Sequence, residues 1–447
     1  MTPLLHTIRS CFEGAVPSTI ATCGTDGIPN VAYLSQVHYV DESHVALSYQ
    51  FFNKTRQNIL DNPRATLQVI DPDNAMQYRL HLAYLRTETE GPLFEHMKAK
   101  LAGIASHTGM SRIFRLLGSD IYRVLRIEPV AGETPPEPVH RRDLLPGLRA
   151  CLAGLAGGCD LAHLLDAALQ GLERCFDIHH SMLLMHDPLR ALLYTVASHG
   201  YVLSGIGSEI GIGEGIIGVA AQERTPIRIG YAAQEYLYSR ATRHGFASSG
   251  ERDELETEIP FPGLPDSRSQ LAVPLLVGER LLGVLFVESG RELRFSYEDE
   301  DALVVMATQL ALAIELTSGL TDPHEEPAPL TTPRTALSGT PASIRHYPGD
   351  HSVFVDNEYL IKGVAGAIVW RLLRDYLDNG RTAFTNRELR HDSSLRLPDI
   401  CDNLEARLIL LQRRLAERCP FLAIEKTGRG RFTLVVSRPV ELIETAA

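Results

Sequence analysis

The sequence lacks most of what would staple a chain together or fix it in a membrane. Its seven cysteines, at 11, 23, 151, 159, 175, 401 and 419, are odd in number, scattered and never in C-x-x-C spacing. That argues against a disulfide framework and against a zinc site, and leaves reduced thiols placed mostly in cores. No apolar run approaches the roughly 20 residues that span a bilayer. The opening MTPLLHTIRSCFEGAV also lacks the basic-then-apolar profile of a secretory signal. A cytoplasmic protein without a membrane segment is the expectation.

What is present is ordinary for a folded chain: 447 residues, 44% hydrophobic and 22% charged. That length is too great for one core and suggests about three domains. The net charge of -12 argues against the whole chain coating nucleic acid, but the charge is uneven. Residues 1–340 carry 27 Lys and Arg against 41 Asp and Glu, whereas residues 341–447 carry 16 against 14. Only the C-terminal part has the balance of a nucleic-acid binder.

Two stretches rich in Pro, Thr and acid, EPVAGETPPE at 128–137 and TDPHEEPAPLTTPRTALSGTP at 321–341, have no apolar period and read as linkers. They divide the chain into blocks at about 1–130, 146–320 and 342–440. The mixture of strand and helix signals in each predicts an α+β multidomain protein.

The first block opens with period-2 apolar alternation around Asp26-Gly27, a hairpin signal. A short helix is predicted from about Lys54 to Leu60, stopped by Asn62-Pro63. Strands follow at RATLQVID, YRLHLAYLRTETE and IYRVLRIEP, with a helix around PLFEHMKAKLAGIA. Six or so strands with short helices suggest a small barrel. The order strand, NKTRQNILDNP, strand resembles the flavin-binding split barrel of the pyridoxamine 5'-phosphate oxidase-like superfamily. That resemblance assigns the grip on an FMN phosphate to Lys54 and Arg56, with Ser48, Tyr49 and Gln57 beside them. A helix start with a guanidinium and an ammonium suits a phosphate dianion. The same cations also fit a solvated helix face. The strand that carries an Arg and a Lys in true oxidases reads NVAYLSQ here, with neither, so a sensor is favoured over a flavin-dependent oxidoreductase. Some relatives hold haem instead, and His38, His44, His81, His96 and His107 leave that as a minor alternative.

The second block starts with a helix near Asp160 and ends in the apolar helix SYEDEDALVVMATQLALAIEL, which Ser296 and Asp299 would cap. A helix this apolar suits pairing with its counterpart in a second copy, and a homodimer is expected. GIGEGIIG at 211–218, LAVPL at 271–275 and GVL at 283–285 carry a resemblance to GAF domains, which implies a ligand-sensing fold with a central antiparallel sheet and an unidentified small-molecule ligand. The glycines lack the Lys-Ser/Thr of a nucleotide loop and read as turn residues. Tyr236, Tyr238, Arg243 and His244, in an insertion before Ser269, could line that ligand or belong to a solvated loop. His179, His180 and His186 have no carboxylate or Cys partner at metal spacing, and no metal is expected.

The third block predicts a strand HSVFVDN, a helix VAGAIVWRLLRDYLDN ended by Gly380, a helix at TNRELRHD, a long helix near PDICDNLEARLILLQRRLAERC and a hairpin AIEKTGRGRFTLVV. The order resembles the winged-helix output domain of response-regulator transcription factors. Ile400, Leu404, Leu408, Leu411 and Leu415 form the core stripe of the long helix. Arg396, Asn403, Arg407 and Arg414 fall on one flank, and Arg429 and Arg431 sit at the hairpin tip. The resemblance gives these six residues to DNA. Asp399, Asp402, Ile409 and Leu410 on the remaining faces suit a packing or dimerisation module instead. The combined expectation is a signal-responsive transcriptional regulator.

Overall fold

The computed structural model describes residues 4–12, 18–34, 36–49, 54–72, 74–91, 93–98, 101, 116–130, 143–156, 160–229, 259–319, 339–392, 395, 404–428 and 430–445. Both predicted linkers fall largely outside these residues, as do Tyr236, Tyr238, Arg243, His244, His107, Arg396, Asn403 and Arg429.

The first block is a seven-stranded antiparallel sheet rather than six strands. It comprises β1 (Ser18–Cys23), β2 (Pro29–Leu34), β3 (Val37–Asp41), β4 (His44–Tyr49), β5 (Arg64–Ile70), β6 (Gln77–Glu88) and β7 (Gly118–Pro129), in the order β2-β1-β5-β6-β7-β4-β3. The β1–β2 turn is at Asp26-Gly27 as expected: Gly27 takes a positive φ of 78°, and the Asp26 carboxylate accepts the Ile28 amide at 3.1 Å. Alternate residues of β1, β4, β5 and β6 enclose a core with Ile20, Leu47, Leu67, Leu80 and Tyr122 at its centre. Helix α1 (Lys54–Asp61) ends one residue before Asn62-Pro63. Asn62 donates to the Cys23 carbonyl at 2.9 Å, which fixes the end of α1 against β1. The helix expected around residues 92–105 is present at 93–98, where Phe94 and Met97 cover the outer face of the sheet at Ala46 and Ile121.

The second block has the six-stranded antiparallel sheet β10-β9-β8-β13-β12-β11, from β8 (His180–Asp187), β9 (Leu192–His199), β10 (Glu209–Gly211), β11 (Ile227–Ile229), β12 (Ser269–Val277) and β13 (Arg280–Ser289). One face is covered by α2 (Leu145–Ala156), α3 (Leu161–Phe176) and α5 (Tyr297–Gly319), the other by α4 (Gly215–Glu223). Asp160 caps α3 by accepting the His163 amide at 3.0 Å, and Asp177 ends it in the left-handed region. Asp299 accepts from both the amide and the hydroxyl of Ser296, as the sequence suggested. Helix α2 was not predicted; its glycines 147 and 154 weaken the local signal. Gly147 instead allows close contact with the backbone of Cys175 on α3.

The third block has more strands than expected. β14 (Ala342–Tyr347), β15 (Ser352–Val355), β16 (Glu358–Ile361) and β20 (Val440–Glu444) form one sheet, in which β20 runs parallel to β14. Then come α6 (Gly363–Asn379), β17 (Ala383–Thr385), α7 (Asn386–His391), α8 (Leu404–Arg418) and the hairpin β18 (Leu422–Gly428) and β19 (Arg431–Val436), with sheet order β17-β19-β18. Gly380 ends α6 at a φ of 67°. Thr385 and Glu388 cap α7 reciprocally. The apolar core of this block is continuous with the helical side of the second block, so the two share one interior. Among the described residues, no helix is long and apolar enough to cross a membrane.

Candidate functional site

Of the residues expected to hold a phosphate, Ser48 and Tyr49 end β4 and Lys54, Arg56 and Gln57 lie on α1. Tyr49 turns toward α1, where the Arg56 guanidinium lies over its ring at 4.6 Å. Ser48, one residue earlier, takes the opposite face because strand side chains alternate. Its hydroxyl is buried with no hydrogen-bond partner among the described residues, so it does not converge with Tyr49. Gln57 is exposed. Lys54, at the start of α1, is half exposed and 3.7 Å from Asp26. Arg56 is held 2.5 Å from Asp120 on β7, and Thr87 donates to the same carboxylate.

Asp120 is the residue sequence reasoning missed; nothing in β7's own pattern distinguishes it, and only the register of β6, β7 and β4 brings it under α1. Burial pushes the Asp120 carboxyl up, and Thr87 and Arg56 offset this only in part. At Arg56 burial acts downward but the pairing with Asp120 outweighs it, so its pKa is raised. Both directions follow from Asp120 being the more enclosed partner. A flavin phosphate at the first turn of α1 fits Lys54 and the backbone amides there. The Arg56 guanidinium is already paired with Asp120 through Nη1, so a phosphate at that turn meets a partly engaged guanidinium. Of the histidines considered for haem, His44 pairs with Asp41 at 2.9 Å and His81 with Glu128 at 3.2 Å. His38 and His96 lie with ring centroids 4.7 Å apart, and His96 bonds to Thr225 of the second block at 2.7 Å.

The flank of α8 assigned to DNA is not solvent-facing. Arg407 is 3% and Arg414 4% exposed. Arg407 pairs with Asp187 at the end of β8 at 2.9 Å and lies over the Tyr194 ring of β9 at 4.3 Å. Arg414 donates to the Leu360 carbonyl at 3.1 Å and to Glu417 at 3.2 Å. Burial pulls its pKa down despite Glu417. The core stripe is as expected at Leu404, Leu408, Leu411 and Leu415, but Ile409 and Leu410 are buried as well. Arg413 on the far side reaches Asp166 of α3 at 2.7 Å and the Val196 carbonyl at 3.0 Å. Helix α8 is therefore enclosed between its own block and the second block. Arg431 remains exposed at the hairpin. It lines a crevice of about 270 Å³ between the blocks with Asp160, Glu405, Phe432 and Lys426.

In the second block, Gly213 and Gly215 take positive φ values of 86° and 56°, the turn role expected of GIGEGIIG. Among the described residues, no group of three or more His, Cys, Asp or Glu is placed to hold a metal ion. The first and second blocks meet where Lys98 lies 2.8 Å from Glu95 and 3.7 Å from Glu223 on α4.

Residues 4–131 match the family model described as pyridoxamine 5'-phosphate oxidase, and residues 160–315 match that of the GAF domain. Among curated proteins, an uncharacterized protein of Methanocaldococcus jannaschii is 38% identical over 63 residues, which are 13% of this chain and 42% of that protein. The chain thus spans under half the length of that relative. Among solved structures, an FMN-binding protein from Syntrophomonas wolfei is similar at 17% identity, covering 29% of this chain and 87% of that one, with a TM-score of 0.25. The GAF domain of an Acinetobacter phosphoenolpyruvate-protein phosphotransferase is similar at 18% identity, covering 40% and 96%, with a TM-score of 0.30. The chain joins a pyridoxamine 5'-phosphate oxidase-like domain to a GAF domain.

Proposed function

We propose that this protein is a signal-responsive transcriptional regulator. In this reading the split barrel holds FMN, the GAF domain takes a small-molecule signal, and residues 342–440 form a winged-helix module that binds DNA. The observation that carries it is that α8, the helix a winged-helix module sets against DNA, is the element the GAF domain grips through Asp187 and Asp166. A sensor that touches the output helix directly has a short physical route to control it. The order α6, β17, α7, α8 and hairpin, with sheet order β17-β19-β18, supports the winged-helix assignment.

In the barrel, the phosphate of FMN belongs at the first turn of α1 with Lys54 and Arg56. The flavin would supply a redox-active ring. Strand β2 and the residues after it offer no Arg or Lys to bind a substrate, which favours a reporter over a catalyst. A cytoplasmic homodimer completes the reading. Val305, Leu312 and Leu316 form an exposed apolar stripe along α5, the face for a second copy.

The test is an absorbance spectrum of the purified protein before and after addition of FMN, with duplex retardation measured as salt is lowered. A protein that stays colourless with FMN would sink the flavin part. A duplex that is never retarded while α8 is accessible would sink the DNA part.

A further inference from the structure

Among the described residues, four ion pairs cross the seam between the C-terminal module and the GAF domain, and all share one polarity. Lys362 lies 3.2 Å from Glu209, Arg407 2.9 Å from Asp187, Arg413 2.7 Å from Asp166, and Lys426 3.3 Å from Asp160. Every cation belongs to the C-terminal module and every acid to the GAF domain. The cations come from the start of α6, from α8 and from the hairpin strand β18. The acids come from the cap and first turns of α3, the end of β8, and β10. Two surfaces selected only for packing would mix signs. A face that gathers cations from a helix and its neighbouring hairpin is complementary to a polyanion.

We infer that the GAF domain covers a polyanion-binding face of the C-terminal module, with Asp160, Asp166, Asp187 and Glu209 standing where the phosphates of a duplex stand in the open form. This rests on the DNA reading above and adds its regulation. Duplex and GAF domain compete for Lys362, Arg407, Arg413 and Lys426, so the closed form does not bind. The apolar contacts of Ile409 and Leu410 hold the seam shut between signals. A signal that favours the open arrangement releases the face, and by linkage a bound duplex favours the signalled state of the sensor.

The test uses the full chain carrying Asp160→Asn, Asp166→Asn and Glu209→Gln together. Asparagine still caps a helix, so α3 is kept. Glu209 is also held within the GAF domain by Arg190, for which Glu209→Gln keeps one acceptor oxygen, and Asp187 is left intact because its carboxylate also accepts the amides of Leu189 and Arg190 in the turn after β8. Two quantities are read: hydrogen exchange of the amides in 404–418, and retention of a random-sequence duplex at low salt. Losing three partly exposed pairs is expected to speed that exchange and to tighten duplex binding by roughly tenfold. Asp166→Lys, which repels Arg413, should act in the same direction. Equal duplex binding by wild type and variant overturns the covering role while leaving DNA binding intact. Faster exchange without any duplex binding overturns the DNA reading and the polyanion face with it. Unchanged exchange shows that these acids do not hold the seam, and overturns the inference alone.

Discussion

Arg407 and Asp187 meet at 2.9 Å with side chains only 4% and 1% exposed, so α8 and β8 share a buried ion pair. Removing one partner strands a charge in a low-dielectric seam, which typically costs about 3–5 kcal/mol. Arg407→Ala should therefore lower unfolding stability by about that amount in denaturant titration. Arg407→Met with Asp187→Asn should recover much of the loss, since the pair is then gone from both sides. A single-variant cost below about 1 kcal/mol would mean that water reaches the pair.

The barrel offers a second exchange of partners. Asp120 engages the Arg56 guanidinium proposed for a flavin phosphate, and the Thr87 hydroxyl bond helps hold the carboxylate in place. Asp120→Asn removes that competitor. FMN should then bind severalfold more tightly, read as quenching of flavin fluorescence, whereas Lys54→Ala should weaken binding by about tenfold, the scale of one charge-assisted contact. If Asp120→Asn leaves the affinity unchanged, Arg56 has no part in phosphate binding.

Much of this architecture could be read from the residues. The Asp26-Gly27 turn, the Asn62-Pro63 stop, the caps at Asp160 and Ser296 and the Gly380 terminus act within a few residues, and local signals fix them. The core stripe of α8 was legible for the same reason. The environment of its other faces was not, because burial of Arg407 depends on Asp187 and Tyr194 in a domain about two hundred positions earlier in the chain, and that of Arg414 on Leu360 of another strand. Ile409 and Leu410 were the trace of that contact in the sequence. Asp120 gave no such trace, since its role depends on strand register alone. Strands β16 and β17 are too short to show a clear period, and β14 alternates in burial although its His346 and Tyr347 blur the apolar pattern in the sequence.

The glycine run of the GAF domain makes a local prediction. A Cβ on Gly218 would lie 2.3 Å from the Gly211 carbonyl oxygen and 2.9 Å from the Gly213 amide nitrogen. Backbone atoms cannot move aside as a flexible side chain can. Gly218→Ala should cost about 1–3 kcal/mol, the range of overpacked interiors, measured as a lowered thermal midpoint. Gly278→Ala is the control for conformation without crowding: its φ is 58° but nothing lies within 4 Å of the added carbon. A Gly218→Ala loss no larger than the Gly278→Ala loss would remove close approach as the reason for that glycine.

The contact between barrel and GAF domain should weaken as pH rises. Burial and the neighbouring Glu95 carboxyl push Glu223 up to about 7, against the pull of Lys98. Its unperturbed value is 4.5, so between 4.5 and about 7 the folded contact keeps a proton that the unfolded chain has released. Linkage makes stability fall with pH wherever the native state binds more protons. The contribution is therefore fully present below 4.5 and lost by about 7. Glu95 works the other way: its bond to Glu223 and then Lys98 lower its pKa, so its contribution is present above 4.5 and is lost as pH falls below it. Glu223→Gln keeps a hydrogen-bonding group but cannot ionise, so it should flatten the fall in thermal midpoint across that window and raise the midpoint above neutrality. A slope that survives unchanged in Glu223→Gln would remove Glu223 as its source.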